Sequence, residues 1–243
     1  MNQKTFRQLI SIIVLIAAIS YLLDKVVFYG LNHISDRVLT GQAIGKLNQF
    51  LKLKDTSDLL IFGNSRANHH INVERLTKNG FNIGIDGTGI AVSSTLIQTL
   101  STEKSQFILV HIDTKNFIDS TYDGSDVRSL KSKFKRDETI TEILDKSGHI
   151  PLLHHYYYSM NYTGNAIGII KNYFKPSYDY RSYSGYDPLP IDSTKASQRD
   201  ILLNKLNPKN CDSINRLNQE AISYLKSIKS FMNKNPNKKF IFV

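Results

Sequence analysis

The sequence predicts an α/β protein with a mostly parallel sheet, preceded by one membrane-spanning helix. Three short apolar runs, each followed by a polar or glycine-containing loop, predict the sheet; they cover residues 59–62, 81–85 and 107–112. Apolar runs of this length, bounded by polar residues, are typical of the buried strands of parallel sheets. A longer apolar run over residues 9–23 predicts the spanning helix.

The N-terminal apolar run is followed by Asp24-Lys25 and then by a second apolar patch at residues 26–29. Together the two segments supply the roughly 20 residues that a spanning helix needs. Lys4 and Arg7 precede the run, and this positive flank predicts a cytoplasmic N-terminus. A cleavable signal peptide is the alternative, because Ala18-Ile-Ser20 has small-x-small spacing, but the apolar residues beyond it favour an uncleaved anchor. Both interpretations place the rest of the chain on the extracytoplasmic (periplasmic) side of the cytoplasmic membrane.

Three parts follow from this pattern: a stub and anchor at residues 1–29, a membrane-proximal connector at 30–57, and an α/β domain at 58–243. Helical spacing of apolar residues predicts the helices of the domain, over residues 73–78, 90–100, 138–146 and 213–233. Residues 240–243 begin a further buried strand. A segment at about residues 151–190 is rich in Tyr, Gly, Ser and Pro and fits no regular period, which predicts an ordered insertion.

The net charge of the chain is +10, which points to an anionic partner. Nucleic acid is not expected, because the lysines are scattered and no binding motif accompanies them. Anionic lipid headgroups or an acidic glycan fit the charge better. Cys211 is the only cysteine, so no intramolecular disulfide can form. The histidines lack the spacing of metal ligands, and neither a metal nor a cofactor is predicted.

Ser65 follows the first predicted strand by three residues and is the strongest candidate for chemistry. Gly63 allows a sharp turn after the strand, and Ser65 is then expected at the carboxyl end of the sheet, where open α/β sheets bind ligands. A nucleophile and a helix N-cap are equally consistent with this position. Right-handed crossovers bring the carboxyl ends of parallel strands to one edge. We therefore expect Ser65, Gly87 and the 113–116 loop to meet there.

Two sequence blocks carry a resemblance to a known family. They are Gly63-Asn64-Ser65 after the first strand and Asn82-Ile-Gly-Ile-Asp-Gly87 after the second. With the preceding strand and the anchor, they resemble the SGNH (GDSL-type) hydrolase superfamily, and its membrane-anchored, exported branch linked to O-acylation of polysaccharides and cell-wall polymers. The resemblance implies a flavodoxin-like, three-layer α/β/α fold.

The resemblance also implies roles for individual residues. Ser65 matches the nucleophile of the family, and the backbone amides of Ser65 and Gly87 match two donors of its oxyanion hole. The third donor is normally an Asn in a Gly-x-Asn block, where this chain has Asp113-Thr-Lys-Asn116, so Asn116 is the candidate. The family's general base is a histidine in an Asp-x-x-His block after the last strand. No such block lies within the 243 residues, and we expect the chain to be a truncated form of a longer protein.

Other residues near Ser65 are candidates for binding. Arg66 is expected to hold an acidic group of a substrate or to pair with an acid. His69 and His70 are expected to pack beneath the loop or touch the substrate, with general-base function as the alternative. His111 is expected to be a hydrogen-bonded histidine of the core.

The function these observations favour is a serine esterase or O-acyltransferase that acts on acyl groups of an extracytoplasmic glycan or cell-wall polymer, possibly with a membrane protein as acyl donor. The first alternative is a non-catalytic relative that binds or assembles glycan. The second is a flavodoxin-like module that binds an anion at the Ser65 loop without covalent chemistry.

Overall fold

The computed structural model describes residues 3–176, 183–189 and 217–243. These residues form an α/β domain with one long apolar helix at the N-terminus. The strands are β1 (Leu59–Phe62), β2 (Gly80–Asn82), β3 (Gln106–Val110) and β4 (Lys238–Phe242). The helices are α1 (Gln3–Ser35), α2 (Lys46–Leu53), α3 (Ser65–His70), α4 (Ile90–Gln98), α5 (Thr114–Ile118), α6 (Glu138–Ser147), α7 (Ala166–Phe174) and α8 (Gln219–Lys234). Cys211, parts of the Tyr-rich insertion and the first residues of the last predicted helix lie outside the described residues.

The prediction of a parallel sheet is confirmed. The four strands run in the order β2-β1-β3-β4 and all pair in parallel, with Leu60 opposite both Phe81 and Ile108. β1 has the predicted bounds. β2 is shorter than predicted, yet its backbone stays beside β1, because the amide of Ile85 still donates to the carbonyl of Gly63 at 3.0 Å.

The main core lies on one face of the sheet. Leu60 and Phe62 of β1 and Ile108 of β3 are fully buried there, against α2, α4, α6 and α8. α2 lies inside the predicted connector, but its Leu47 and Phe50 are fully buried in this core. The segment before β1 is therefore part of the domain, because its apolar residues recur at helical spacing and meet the sheet.

The other face of the sheet carries a smaller cluster. Leu59 and Ile61 of β1 pack there against Ala67 of α3 and Val73 of the 3₁₀ turn Val73–Arg75. Phe107 of β3 and Ile241 of β4 remain exposed. Within the described ranges, helices cover one face of the sheet along its width and the second face only in part. The coarse α/β prediction holds, and the complete third layer is not seen in these residues.

α1 is 33 residues long and, by length and apolar composition, can cross a membrane. It extends beyond the predicted anchor, and its last turns pack against the domain. Phe28 of α1 forms a second small core with Val38, Ile44, Tyr162 and Ile169. The helix and the domain are thus joined by buried side chains.

Candidate active site

Ser65 is the first residue of α3 and follows a turn that requires glycine. Gly63 has φ +149°, and a Cβ atom there would lie 2.8 Å from the Cβ atoms of both Ala67 and His111. The N-cap of α3 is Asn64, whose Oδ1 accepts from the amide of Arg66 at 3.0 Å. The capping role considered for Ser65 therefore belongs to Asn64. Ser65 is half-buried, and its hydroxyl forms no hydrogen bond with the residues that the structure describes.

The three loops after β1, β2 and β3 lie at one edge of the sheet. The β1 and β2 loops adjoin through the hydrogen bond from Ile85 to Gly63. The β1 and β3 loops are joined by a 2.6 Å hydrogen bond from Asn64 Nδ2 to Asp113 Oδ2. Ser65 and Gly87 therefore lie on adjoining loops, and the 113–116 loop is tied to the residue before Ser65.

Several loop amides at this edge have no acceptor among the described residues, those of Asn64 and Asp86 included, and two of them belong to Ser65 and Gly87. In the described part of the chain, the amides of Ser65 and Gly87 donate to no acceptor. Gly87 has φ +71° and is exposed, and no heavy atom lies within 4 Å of the position that a Cβ atom would take. The amides of Ser65 and Gly87 thus lie on adjoining loops and are open to a ligand, and two such donors can stabilise an anion.

Asn116 lies at the same edge but caps α4. Its Oδ1 accepts from the amide of Ile90 at 3.2 Å, and this bond fixes the orientation of the side-chain amide. Asn116 Nδ2 has no partner among the described residues. The side chain can thus donate through Nδ2, but its firm role is to cap a helix.

The start of α4 is closed by half-buried side chains. Asp126 accepts from the amide of Gly89 at 2.7 Å and from the hydroxyl of Tyr122 at 2.8 Å. The Tyr122 hydroxyl in turn accepts from the amide of Ala91 at 3.1 Å. Burial raises the pKa of Asp126. These bonds occupy the donors that begin α4, so this helix end offers little to a ligand.

His69 is held by two acidic residues. Its Nε2 lies 3.0 Å from Asp86 Oδ2, and its Nδ1 lies 2.7 Å from the carbonyl oxygen of Asp187. Burial alone would lower the pKa of His69, but these hydrogen bonds and charges raise it overall. A histidine with both ring nitrogens engaged has no free atom to accept a proton from Ser65. The alternative role of His69 as general base is therefore not supported.

Lys46 bonds the residue that precedes His69, and no sequence pattern indicates this contact. Its side chain is fully buried, and Nζ donates to Asn68 Oδ1 and to the carbonyl of Gly84, both at 2.5 Å. Asn68 also donates to Asp86 Oδ1 at 2.9 Å. Burial lowers the pKa of Lys46 to about 7, although Asp187 and Asp86 act in the opposite direction. Lys46 thus fastens α3 to the loop that carries Gly87.

Arg66, His70 and His111 form a second group beside Ser65. Arg66 is exposed, with its guanidinium 3.9 Å from Asp113 Oδ1. His70 is exposed on the same short helix. The prediction of a hydrogen-bonded core histidine at position 111 is wrong, because His111 is only half-buried and its buried Nδ1 atom has no partner. Burial lowers the pKa of His111, and the charges of Arg66 and His70 add to this, against Asp113.

Comparisons of the chain with protein-family models, with curated proteins and with solved structures gave no match. The geometry of the edge and the sequence blocks therefore carry the functional argument.

Proposed function

We propose that the protein is an SGNH-type serine esterase or O-acyltransferase that acts on acyl groups of an extracytoplasmic glycan or cell-wall polymer. The observation that carries the proposal is the position of Ser65 on a loop adjoining Gly87, with no partner among the described residues for the Ser65 hydroxyl or for the amides of both residues. These are the two residues that the sequence blocks assign to the nucleophile and the oxyanion hole. The proposal needs no cofactor.

In this mechanism Ser65 Oγ attacks the acyl carbonyl carbon, and its proton passes to a base. The amides of Ser65 and Gly87 donate to the oxyanion that forms, and one such donor contributes about 3 kcal/mol to lowering the barrier. The carbon–oxygen bond of the ester then breaks, and the alcohol leaves with a proton. Water or a hydroxyl group of the glycan attacks acyl-Ser65 in the second step, giving hydrolysis or transfer. Beside Ser65, the Nδ1 atom of His111 has no partner and the His70 ring bonds no described residue, so these two histidines are the candidates to take the proton.

The proposal includes a location and a complete fold. α1 anchors the chain in the cytoplasmic membrane as a single span, and the domain lies on the extracytoplasmic side, in accord with Lys4 and Arg7 before the apolar run. The domain takes the flavodoxin-like, three-layer arrangement, with α3 as the first member of the second helical layer. A glycan or cell-wall polymer outside the membrane, with a membrane protein as acyl donor, is then within reach.

The test compares two serine variants of the full chain in detergent. Ser65→Ala should lower turnover of p-nitrophenyl acetate by about a thousandfold or more and abolish labelling by a fluorophosphonate probe, because the nucleophile is gone. Ser147→Ala is the control, since the Ser147 hydroxyl makes only local bonds at the end of α6: it donates to the carbonyl of Leu144 and accepts from the amide of His149. Labelling of Ser65→Ala at the wild-type level would refute the assignment.

A non-catalytic glycan-binding component is the second candidate. It is favoured by the engagement of both ring nitrogens of His69, which leaves this histidine unable to serve as a base. This candidate expects no fluorophosphonate labelling of the wild type, while an acidic glycan still binds and Arg66→Ala weakens the binding. Labelling of the wild type at Ser65 would exclude it.

A further inference from the structure

An exposed apolar surface lies beside the point where the apolar run of α1 ends. The 3₁₀ segments Leu152–His155 and Tyr158–Tyr162 follow this part of the helix, with the ring of Tyr158 5.3 Å from that of Phe28. Leu152 is 73% exposed and Leu153 is 58% exposed. Exposed apolar side chains that lie close together are uncommon on soluble proteins and mark a surface that binds a partner or a membrane.

Two charged residues of α1 fasten residues 156–159 to this helix. The carboxylate of Asp24 accepts from the amides of Tyr158 and Ser159 at 2.8 and 2.9 Å, and its side chain is 3% exposed. Lys25 pairs with Asp24 at 3.1 Å, donates to the carbonyl of Tyr156, and lies 3.5 Å from the ring centre of Tyr158. Both charges that end the apolar run therefore face protein partners, which makes them tolerable at a membrane surface.

α7 adds a second exposed apolar stripe. Ile167, Ile170 and Phe174 recur at helical spacing and face away from the domain, with Ile167 83% and Phe174 76% exposed. The opposite side of α7 carries Ile169, which is buried in the small core that contains Phe28 of α1. The stripe is thus held on a helix that packs against α1.

The length of the apolar run indicates which partner covers this surface. Residues 9–23 alone span about 22 Å as a helix, whereas the hydrocarbon core of a bilayer is about 30 Å thick. Val26 and Tyr29 continue the exposed apolar side of α1 beyond Asp24. A bilayer that reaches Tyr29 also reaches the level of Tyr158, because Tyr158 packs on Phe28.

We propose that the two 3₁₀ segments and α7, residues 152–174, form a collar that lies in the interfacial layer of the bilayer crossed by α1. The partner is the lipid surface itself. Tyr156 is 57% exposed, and tyrosine is favoured at this depth. Exposed Lys171, and Lys175 just after the collar, match anionic headgroups. The proposal depends on α1 crossing the membrane and is independent of the chemistry proposed for Ser65.

The absence of tryptophan from the chain gives a direct test. Single-tryptophan variants of the full chain, Leu153→Trp and Ile167→Trp, are reconstituted in vesicles of phosphatidylcholine and phosphatidylglycerol with brominated acyl chains. Leu76→Trp is the matched control, since Leu76 lies outside the collar and is 58% exposed, as Leu153 is. Leu15→Trp, within the apolar run, is the positive control for the span.

We expect blue-shifted emission and quenching by lipids brominated near the headgroup for positions 153 and 167, quenching by deeply brominated lipids for position 15, and neither effect for position 76. If positions 153 and 167 behave like 76 while 15 is quenched, the collar is wrong and the anchor stands. If position 15 is also unquenched, the span and the collar both fail. If the emission shifts to the blue without quenching by the lipids, and this shift increases with protein density, the surface binds a second copy of the chain and the proposal is overturned. Fluorophosphonate labelling of the same variants reports on Ser65 separately.

Discussion

The helices α3 and α4 begin at the same edge of the sheet, but the backbone amides of their first turns differ in their hydrogen bonds. At α4, the amides of residues 89–92 donate to the side chains of Asp126, Asn116 and Tyr122. At α3, Asn64 takes the amide of Arg66, while the amide and hydroxyl of Ser65 stay free among the described residues. The start of α4 is thus closed by side chains from distant parts of the sequence, whereas the start of α3 is left open.

Under the proposed function, the polar groups at the start of α4 hold the fold together, and those at the start of α3 are left for a ligand. A buried or half-buried donor without a partner costs free energy, so folded proteins keep few of them. Among the described residues, the half-buried Ser65 and the buried Nδ1 of His111 are groups of this kind, whereas the amide of Gly87 is exposed to solvent. Their position beside Gly87 is the one that the proposed active site requires.

The largest expected effect is on the closed helix start. Asp126→Ala leaves the Tyr122 hydroxyl and the amides of Gly89 and Val92 without their acceptor, and should lower the free energy of unfolding by about 3 kcal/mol. The measurement is denaturant unfolding of the full chain in detergent. Asp123→Ala is the control, because Asp123 is exposed and bonds only locally to the amide of Ser125. A loss at Asp126 no greater than that at Asp123 would show that the start of α4 does not depend on this carboxylate.

Next in size, counted per pH unit, is the effect of Lys46, the buried lysine that bonds Asn68 and Gly84 at the open edge. Its pKa is about 7 in the folded chain and 10.5 in the reference state, so the unfolded chain binds more protons between these values. Stability should therefore rise with pH across this window, by up to about 1.4 kcal/mol per pH unit from this group. Lys46→Met should remove that part of the slope. Unfolding curves of the two proteins that stay parallel from pH 7 to pH 10 would contradict the buried, easily deprotonated lysine.

Local patterns were enough to predict the strands. The bounds of β1, and the positions of α4 and α6 within one or two residues, follow from apolar runs and helical spacing. The same patterns place the loops after the strands at one edge, because parallel strands leave no other arrangement.

Partners that are distant in sequence could not be predicted. Lys46 begins a helix of ordinary composition, and nothing local shows that it reaches Gly84 and Asn68. The resemblance implies an oxyanion donor at Asn116, but the bond from Ile90 that it accepts depends on the packing of two loops. His111 was assigned to the core because strands alternate, yet it follows the last residue of β3 and lies at the edge. Such contacts depend on tertiary packing that periodicity does not contain.

A pair of glycines sharpens the comparison at the open edge. Gly87 and Gly148 have φ of +71° and +69°, and both have open space where a Cβ atom would lie. Alanine at either position should cost about 1 kcal/mol of stability, because an L-residue is strained at positive φ. Only Gly87→Ala should also slow fluorophosphonate labelling of Ser65, since it displaces the amide proposed to face the oxyanion. Equal labelling rates in both variants would show that the amide of Gly87 does not take part in the reaction at Ser65.

The smallest expected stability effect concerns the residue before Ser65. Asn64 and Asn72 cap short helical segments in the same way, each accepting from the amide two residues later at 3.0 Å. Asn72→Ala should lose about 1 kcal/mol of stability, the usual worth of an N-cap, and Asn64→Ala should lose at least as much. Asn64 also ties its loop to Asp113, so only Asn64→Ala should reduce labelling of Ser65 by the fluorophosphonate probe. If the two variants lose stability alike and label alike, the cap at Asn64 is purely structural, and the orientation of Ser65 is then set by Gly63 and the packing of Ala67.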